Sequence, residues 1–154
     1  YAQMIDAAEK QGTQIVSAAQ NMTFTLGRAR VTFIGPARTQ HTDSRDDGLT
    51  LRIDYGQTSV VVTGCITSNG EKEIVSSGAA AACHALIVSR GGTEAATCAE
   101  WVEAAKPKVA LITGKNPANS VRIRLQKYGA TVYAAKENGV MTLFSDGQKI
   151  TVEP

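Results

Sequence analysis

From Cys83 to Gly147 the chain alternates strand, helix, strand, helix, strand and hairpin with almost no spare residues. That rhythm constrains the fold more than any other feature, because strands interleaved with helices are the pattern of an α/β domain. Ala85–Val88 and Val109–Thr113 read as buried strands. Between them, Thr97-x-x-Glu100 has the spacing of a capping box and opens a helix that buries Cys98, Trp101, Val102 and Ala105. Pro107 ends it. Asn116 is placed to cap the next helix and Pro117 to fill its first turn. That helix buries Val121, Leu125 and Tyr128 and stops at Gly129. Strands at Thr131–Ala135, Val140–Ser145 and Lys149–Val152 follow, with turns at Asn138-Gly139 and Asp146-Gly147.

Upstream the period is different. Residues 2–11 suit a short helix with Met4, Ile5 and Ala8 on one face and Gly12 as its stop. Gln14–Val16 is a brief extended segment. Thr23–Leu26 and Ala29–Ile34 form a hairpin around Gly27-Arg28, and Gly35 to Gly48 is a polar loop. Leu49–Asp54 alternates apolar and polar residues. It turns at Tyr55-Gly56-Gln57 into Thr58–Thr63, whose run Val60-Val61-Val62 suits a strand covered on both faces. Residues 13–63 are therefore an antiparallel meander and 64–154 an alternation of helices and strands, beginning with a helix from Glu71 to about Ser77. Together 1–154 make a single domain, the size for which 154 residues suffice.

Charge excludes little. Residues 1–77 hold 7 basic and 8 acidic side chains, and residues 78–154 hold 9 and 6, so the second half is only mildly basic. The uncharged, Ala- and Ser-rich run from Ile74 to Ser89 is sixteen residues against the ~20 that a membrane span requires, so no span is expected. Three widely spaced cysteines make neither a disulfide framework nor a metal knuckle, although one bridge is compatible with them. No signal peptide is visible, and a start at Tyr1 rather than Met reads as a processed or excised chain.

Few side chains carry chemistry on their own. Cys65 can act as a thiolate ligand or nucleophile, but no paired histidine stands nearby, and a structural small-residue role is the simpler reading. His41, with Asp43, Asp46 and Asp47, belongs either to a pocket or to a solvated acidic loop. His84 begins a strand and reads as a hydrogen-bonded structural histidine. Ser89-Arg90-Gly91-Gly92-Thr93 is a glycine-containing loop after a strand. Its amides can cradle a phosphate with Arg90 assisting, or it is simply a turn. Lys115, Arg122, Arg124 and Lys127 can face a nucleic-acid backbone or only water. Trp101 and Tyr128 sit at core helical positions.

An ordered set of segments adds a family likeness. The set runs Leu-x-Leu-x-x-Asp-Tyr-Gly (49–56), Val-Val-Thr-Gly (61–64), Ala-Leu-Ile-Val-Ser (85–89), Trp-Val-Glu-Ala-Ala-Lys-Pro-Lys-Val-Ala-Leu-Ile (101–112) and Leu-Gln-Lys-Tyr-Gly-Ala-Thr-Val-Tyr (125–133). It closes on Asn-Gly-Val-Met-Thr-Leu-Phe-Ser-Asp-Gly-Gln (138–148). From about Gly12 onward this resembles the metallo-β-lactamase-fold domain of ComEC-type competence proteins and their free-standing hydrolase relatives. The fold so implied is an α/β sandwich of mixed β-sheets with outer helices, of which this chain supplies mainly the C-terminal half.

Such relatives bind zinc or manganese, and a metal-activated water attacks an ester or phosphodiester. The resemblance sets their ligand motifs against substituted positions here. Cys65 follows Thr63-Gly64 where Asp is usual. Arg90 and Gly91 stand where a His-His pair is usual, and Asn116 precedes Pro117 where His is usual. Arg90 also brings a fixed positive charge that repels a dication. A ComEC-type, hydrolase-like domain without cofactor and without activity is the expectation. Two alternatives stand beside it: a DNA- or protein-binding module that uses the pocket around Arg90, Gly92, Thr93 and His41, or a half-domain completed by another chain or by self-association. An extracellular or membrane-associated location follows from the resemblance alone.

Overall fold

The computed structural model describes residues 2–153. Its centre is a seven-stranded mixed sheet in which sequence order and spatial order coincide. The strands are β1 (Thr23–Leu26), β2 (Ala29–Gly35), β3 (Thr50–Tyr55), β4 (Thr58–Val62), β5 (Ala85–Ile87), β6 (Val109–Ile112) and β7 (Thr131–Ala134). β1 to β4 pair antiparallel, with tight turns between β1 and β2 and between β3 and β4 and a long loop over residues 36–49 between β2 and β3, and β4 to β7 pair parallel. The switch falls after Gly64 because a parallel return needs a long crossover, which helices provide. These are α2 (Ser68–Ser76), α3 (Ala99–Ala105) and α4 (Asn119–Lys127), preceded in the chain by α1 (Ala2–Lys10). The architecture is α/β, as the alternation implies.

Register explains the core. Val61, Leu86, Ala110 and Val132 are successive partners across β4 to β7 and point to one face. There they meet Ile74 of α2, Trp101 and Val102 of α3, and Val121 and Leu125 of α4 in one buried cluster. Arg52 closes the antiparallel side of the layer. Its guanidinium grips Asp54 through two hydrogen bonds of 2.9 and 2.6 Å and also donates to the carbonyls of Ala80 and Ala82, fixing the alanine run that leads into β5. On the opposite face Leu51, Ile53, Val60, Val62 and Ile87 are half-buried. A separate hairpin, β8 (Thr142–Ser145) and β9 (Ile150–Glu153), is tied to the β3–β4 turn by Ser145 Oγ to Thr58 Oγ1 at 2.6 Å and Gln57 N–H to Gly147 O at 2.6 Å. No helix among the described residues is long and apolar enough to cross a membrane.

Four local expectations are corrected. Thr97 does not cap α3: Cys98 holds the cap position, makes no side-chain cap bond, and Thr97 adopts a left-handed φ of 60°. Asn116 does not cap α4, which starts later, after Ala118. Tyr128 terminates that helix and is 36% exposed, because the chain leaves helical geometry at this residue. Asn138-Gly139 joins no hairpin. Residues 135–138 form one helical turn, α5 (Ala135–Asn138), and Asn138 Oδ1 accepts from Ala134 N–H at 3.0 Å, so β7 and β8 lie in different sheets. The segment around Gln14–Val16 joins no strand ladder, and the ladder of the meander begins at Thr23.

Burial separates two leucines for measurement. Leu86→Ala empties a fully buried site in the central strand and is expected to cost about 2–5 kcal/mol. Leu26→Ala, 70% exposed, should cost under about 0.5 kcal/mol in the same urea titration.

Candidate functional site

Three loops leave the C-terminal ends of adjacent parallel strands and so meet at one end of the sheet. They are Thr63–Thr67 after β4, Ser89–Thr93 after β5 and Thr113–Ala118 after β6. Backbone contacts lace them together. Arg90 N–H donates to Gly64 O at 3.0 Å, and Ala118 N–H donates to Gly92 O at 2.8 Å. Thr63 Oγ1 donates to Ile87 O at 2.6 Å. Gly91 and Gly114 touch directly: a Cβ on Gly91 would lie 2.6 Å from Gly114 Cα, and one on Gly114 would run into Gly91 O. Arg90, Gly91 and Gly92 take successive left-handed φ values of 50°, 61° and 82°. Arginine in that region carries a steric cost glycine does not.

The position-by-position reading of Cys65, Arg90, Gly91 and Asn116 is therefore gathered into one place. Gly92 and Thr93 belong to the same loop, and Thr93 Oγ1 is buried without a hydrogen-bond partner among the described residues. Cys65 is exposed on its turn rather than packed as a small buried residue, and it is a free thiol. Cys83 and Cys98 are free and buried, and burial pushes both thiols up to about 12. They are inert at neutral pH. Among the described residues no group of three or more His, Cys, Asp or Glu side chains is placed to hold a metal ion. The donor set at the loop ends is a thiol, an amide and a guanidinium. Position 91 also cannot accept a histidine without moving the Gly114 backbone. These residues do not fit a divalent metal.

Two buried carboxylates build the floor of this site: Glu71, which the sequence pattern did not single out, and Asp46, which it placed in the acidic loop with His41. Glu71, fully buried on α2, accepts from Ser89 Oγ (2.6 Å), Thr97 N–H (2.7 Å) and Cys98 N–H (2.8 Å). One side chain thus satisfies the start of α3 and anchors the loop that carries Arg90. Burial raises its pKa and the three donors oppose the rise. Asp46 accepts from Thr67 N–H at 2.7 Å and Thr67 Oγ1 at 2.9 Å, which holds the cap of α2. The 71/74/75 spacing does put Glu71 on the same helix face as Ile74 and Val75, the one sequence signal that was present.

Beside the loop ends lies a polar cleft of about 700 Å³, walled by the segment from Arg38 to Asp46 and by Asn69, Lys72 and Glu73 of α2. Arg45 donates to Asp43 through its side chain and its backbone and holds that carboxyl down to about 2, with Arg90 adding a smaller effect. His41 lies in this cleft rather than against the Arg90 loop. Its Nδ1 is 2.8 Å from Asp47 Oδ1 and its Nε2 2.7 Å from Glu73 Oε2. Of the basic residues near α4, Arg122 pairs with Glu137 and Arg124 donates to Thr97 O, so only part of that charge faces outward. His84 is structural as expected, accepting through Nδ1 from Ser59 N–H at 3.2 Å.

Comparison with known proteins finds a distant similarity in sequence. The chain is similar to ComE operon protein 3 of Bacillus subtilis strain 168, 23% identical over 144 residues, which is 90% of this chain and 19% of that protein. It thus spans about a fifth of the relative's length. No family model matches the chain.

Glu71 supplies a direct test of this construction. In Glu71→Gln one amide hydrogen must face the Cys98 N–H or the Ser89 and Thr97 donors, leaving a buried donor unmet. A loss of about 1–3 kcal/mol is expected by urea denaturation at neutral pH.

Proposed function

We propose that this chain is a metallo-β-lactamase-type domain of the ComEC kind that has lost its hydrolytic metal site and serves a competence-related role without catalysis. The observation that carries the proposal is the meeting of four positions, Cys65, Arg90, Gly91 and Asn116, at the C-terminal ends of adjacent parallel strands. These are the positions at which the resemblance expects metal ligands, and none now carries an imidazole or a carboxylate. The distant similarity to a ComE operon protein supports the competence link. A guanidinium at position 90 disfavours a dication at close range, since unlike Lys it keeps its proton at any working pH. The expected result is substoichiometric metal after incubation with manganese or zinc and dialysis, with no phosphodiester hydrolysis above a metal-only blank. Stoichiometric metal together with turnover overturns the proposal.

A second reading, a DNA-binding module on the same frame, is favoured by one observation. Arg90 and Lys115 stand on neighbouring loops at this end, and neither forms an ion pair among the described residues. Each phosphate contact contributes about −0.9 to the slope of log K against log salt. Arg90→Ala with Lys115→Ala should weaken duplex binding and flatten that slope by about 2 if both residues touch phosphate. An unchanged slope removes this reading.

A further inference from the structure

The segment from Pro36 to Gly48 crosses the site without joining the sheet, and side chains fasten it to α2. Arg38 donates to Glu73 through Nε (3.1 Å) and Nη2 (2.9 Å). Between Arg38 and the buried Asp46, His41 sits with only 4% of its side chain exposed and a carboxylate at each ring nitrogen. Its own backbone N–H also points at Asp47 Oδ1, at 3.2 Å. A neutral imidazole has one N–H and one lone pair. It can satisfy Asp47 or Glu73 but turns its lone pair against the other. Only the imidazolium donates to both.

We propose that His41 is a proton-operated latch that, when charged, fastens the 36–48 segment to α2 and, when neutral, lets that wall of the cleft open. The surrounding charges support it. Asp47 and Glu73 face the ring and Arg38 opposes it, so the imidazolium brings this group to two positive and two negative charges. Elsewhere in the cleft the charges are engaged with other partners: Asp43 with Arg45, Asp46 with Thr67, and Lys72 with Glu100. The hydrogen bond to Asp47, then the one to Glu73, raises the His41 pKa against its burial. Asp47 is lowered first by His41, and Glu73 first by Arg38 and then by His41. A raised histidine stabilises fully below its unfolded value near ~6.5 and loses that contribution as pH rises through its folded value. The lowered carboxylates lose theirs as pH falls through their folded values. The latch is therefore fastened between the two limits and opens on the alkaline side.

The experiment reads two signals on the intact chain between pH 5.5 and 8.5: the His41 Cε1 resonance, and amide exchange of residues 39–47 corrected for intrinsic rate. The expected result is a His41 midpoint above that of an ordinary histidine, with protection of 39–47 falling at least tenfold through the same one-proton transition. Amides in β5 and β6 should hold constant. His41→Gln should abolish the transition. Glu73→Gln, which spares the ring, should lower its midpoint and so keeps the test valid if His41→Gln fails to fold. Protection that stays flat while His41 titrates, or a midpoint at or below the ordinary value, overturns the latch.

Discussion

Much of this structure hangs on one carboxylate in the wrong medium for a charge. Glu71 has no exposed surface, and burying an unpaired carboxylate is costly enough that the group would neutralise instead. Three donors meet it, from Ser89, Thr97 and Cys98, all outside its own helix. The bonds therefore act as cross-links. They join α2 to the β5 loop and to the first turn of α3, elements separated by 18 to 27 residues in sequence. They also account for Thr97. A β-branched residue at a φ of 60° is disfavoured, and it persists where its surroundings over-determine it. Here its N–H is fixed by Glu71 and its carbonyl by Arg124.

That arrangement explains why the capping box misled. Thr97-x-x-Glu100 satisfies a local rule, yet the Thr97 N–H that Glu100 would serve is already taken by a carboxylate from another helix. Local signals were legible where nothing competed. Asp146 accepts from Gln148 and Lys149 N–H in the turn that its sequence announces, and Val60-Val61-Val62 became a central strand, buried at Val61 and half-buried at Val60 and Val62. They failed where a tertiary contact took precedence. The 113–118 loop runs on past Asn116 because Ala118 N–H is committed to Gly92 O. Residues 135–138 coil into a turn, and Asn138 closes that turn onto Ala134 instead of opening a hairpin.

The candidate site was legible in position and not in construction. Parallel strands send their loops to the same end, so residues following β4, β5 and β6 had to converge once the alternation was recognised. Nothing in the spacing revealed that Gly91 and Gly114 would press backbone to backbone, or that Asp46, read as part of a solvated loop, would be 4% exposed and hold the α2 cap. His41 was legible as a residue of interest but not its setting. Glu73, its second partner, is 32 residues away on an unrelated element.

The loops at this end keep their geometry through bonds that need no metal. Arg90 N–H to Gly64 O, Ala118 N–H to Gly92 O and the glycine contact each join two of the three loops, so the constellation is closed by main chain alone. A site whose shape depended on an ion would slacken when its ligands were replaced, because binding and ordering of such loops are coupled. Main-chain closure removes that dependence. It leaves position 90 free to carry a guanidinium on a left-handed backbone whose N–H is held by Gly64 O. The same closure separates two tasks within the molecule: the loop ends are joined to one another by uncharged backbone bonds above the buried Glu71 anchor, while the adjoining cleft wall is held by partly exposed ion pairs that salt can screen.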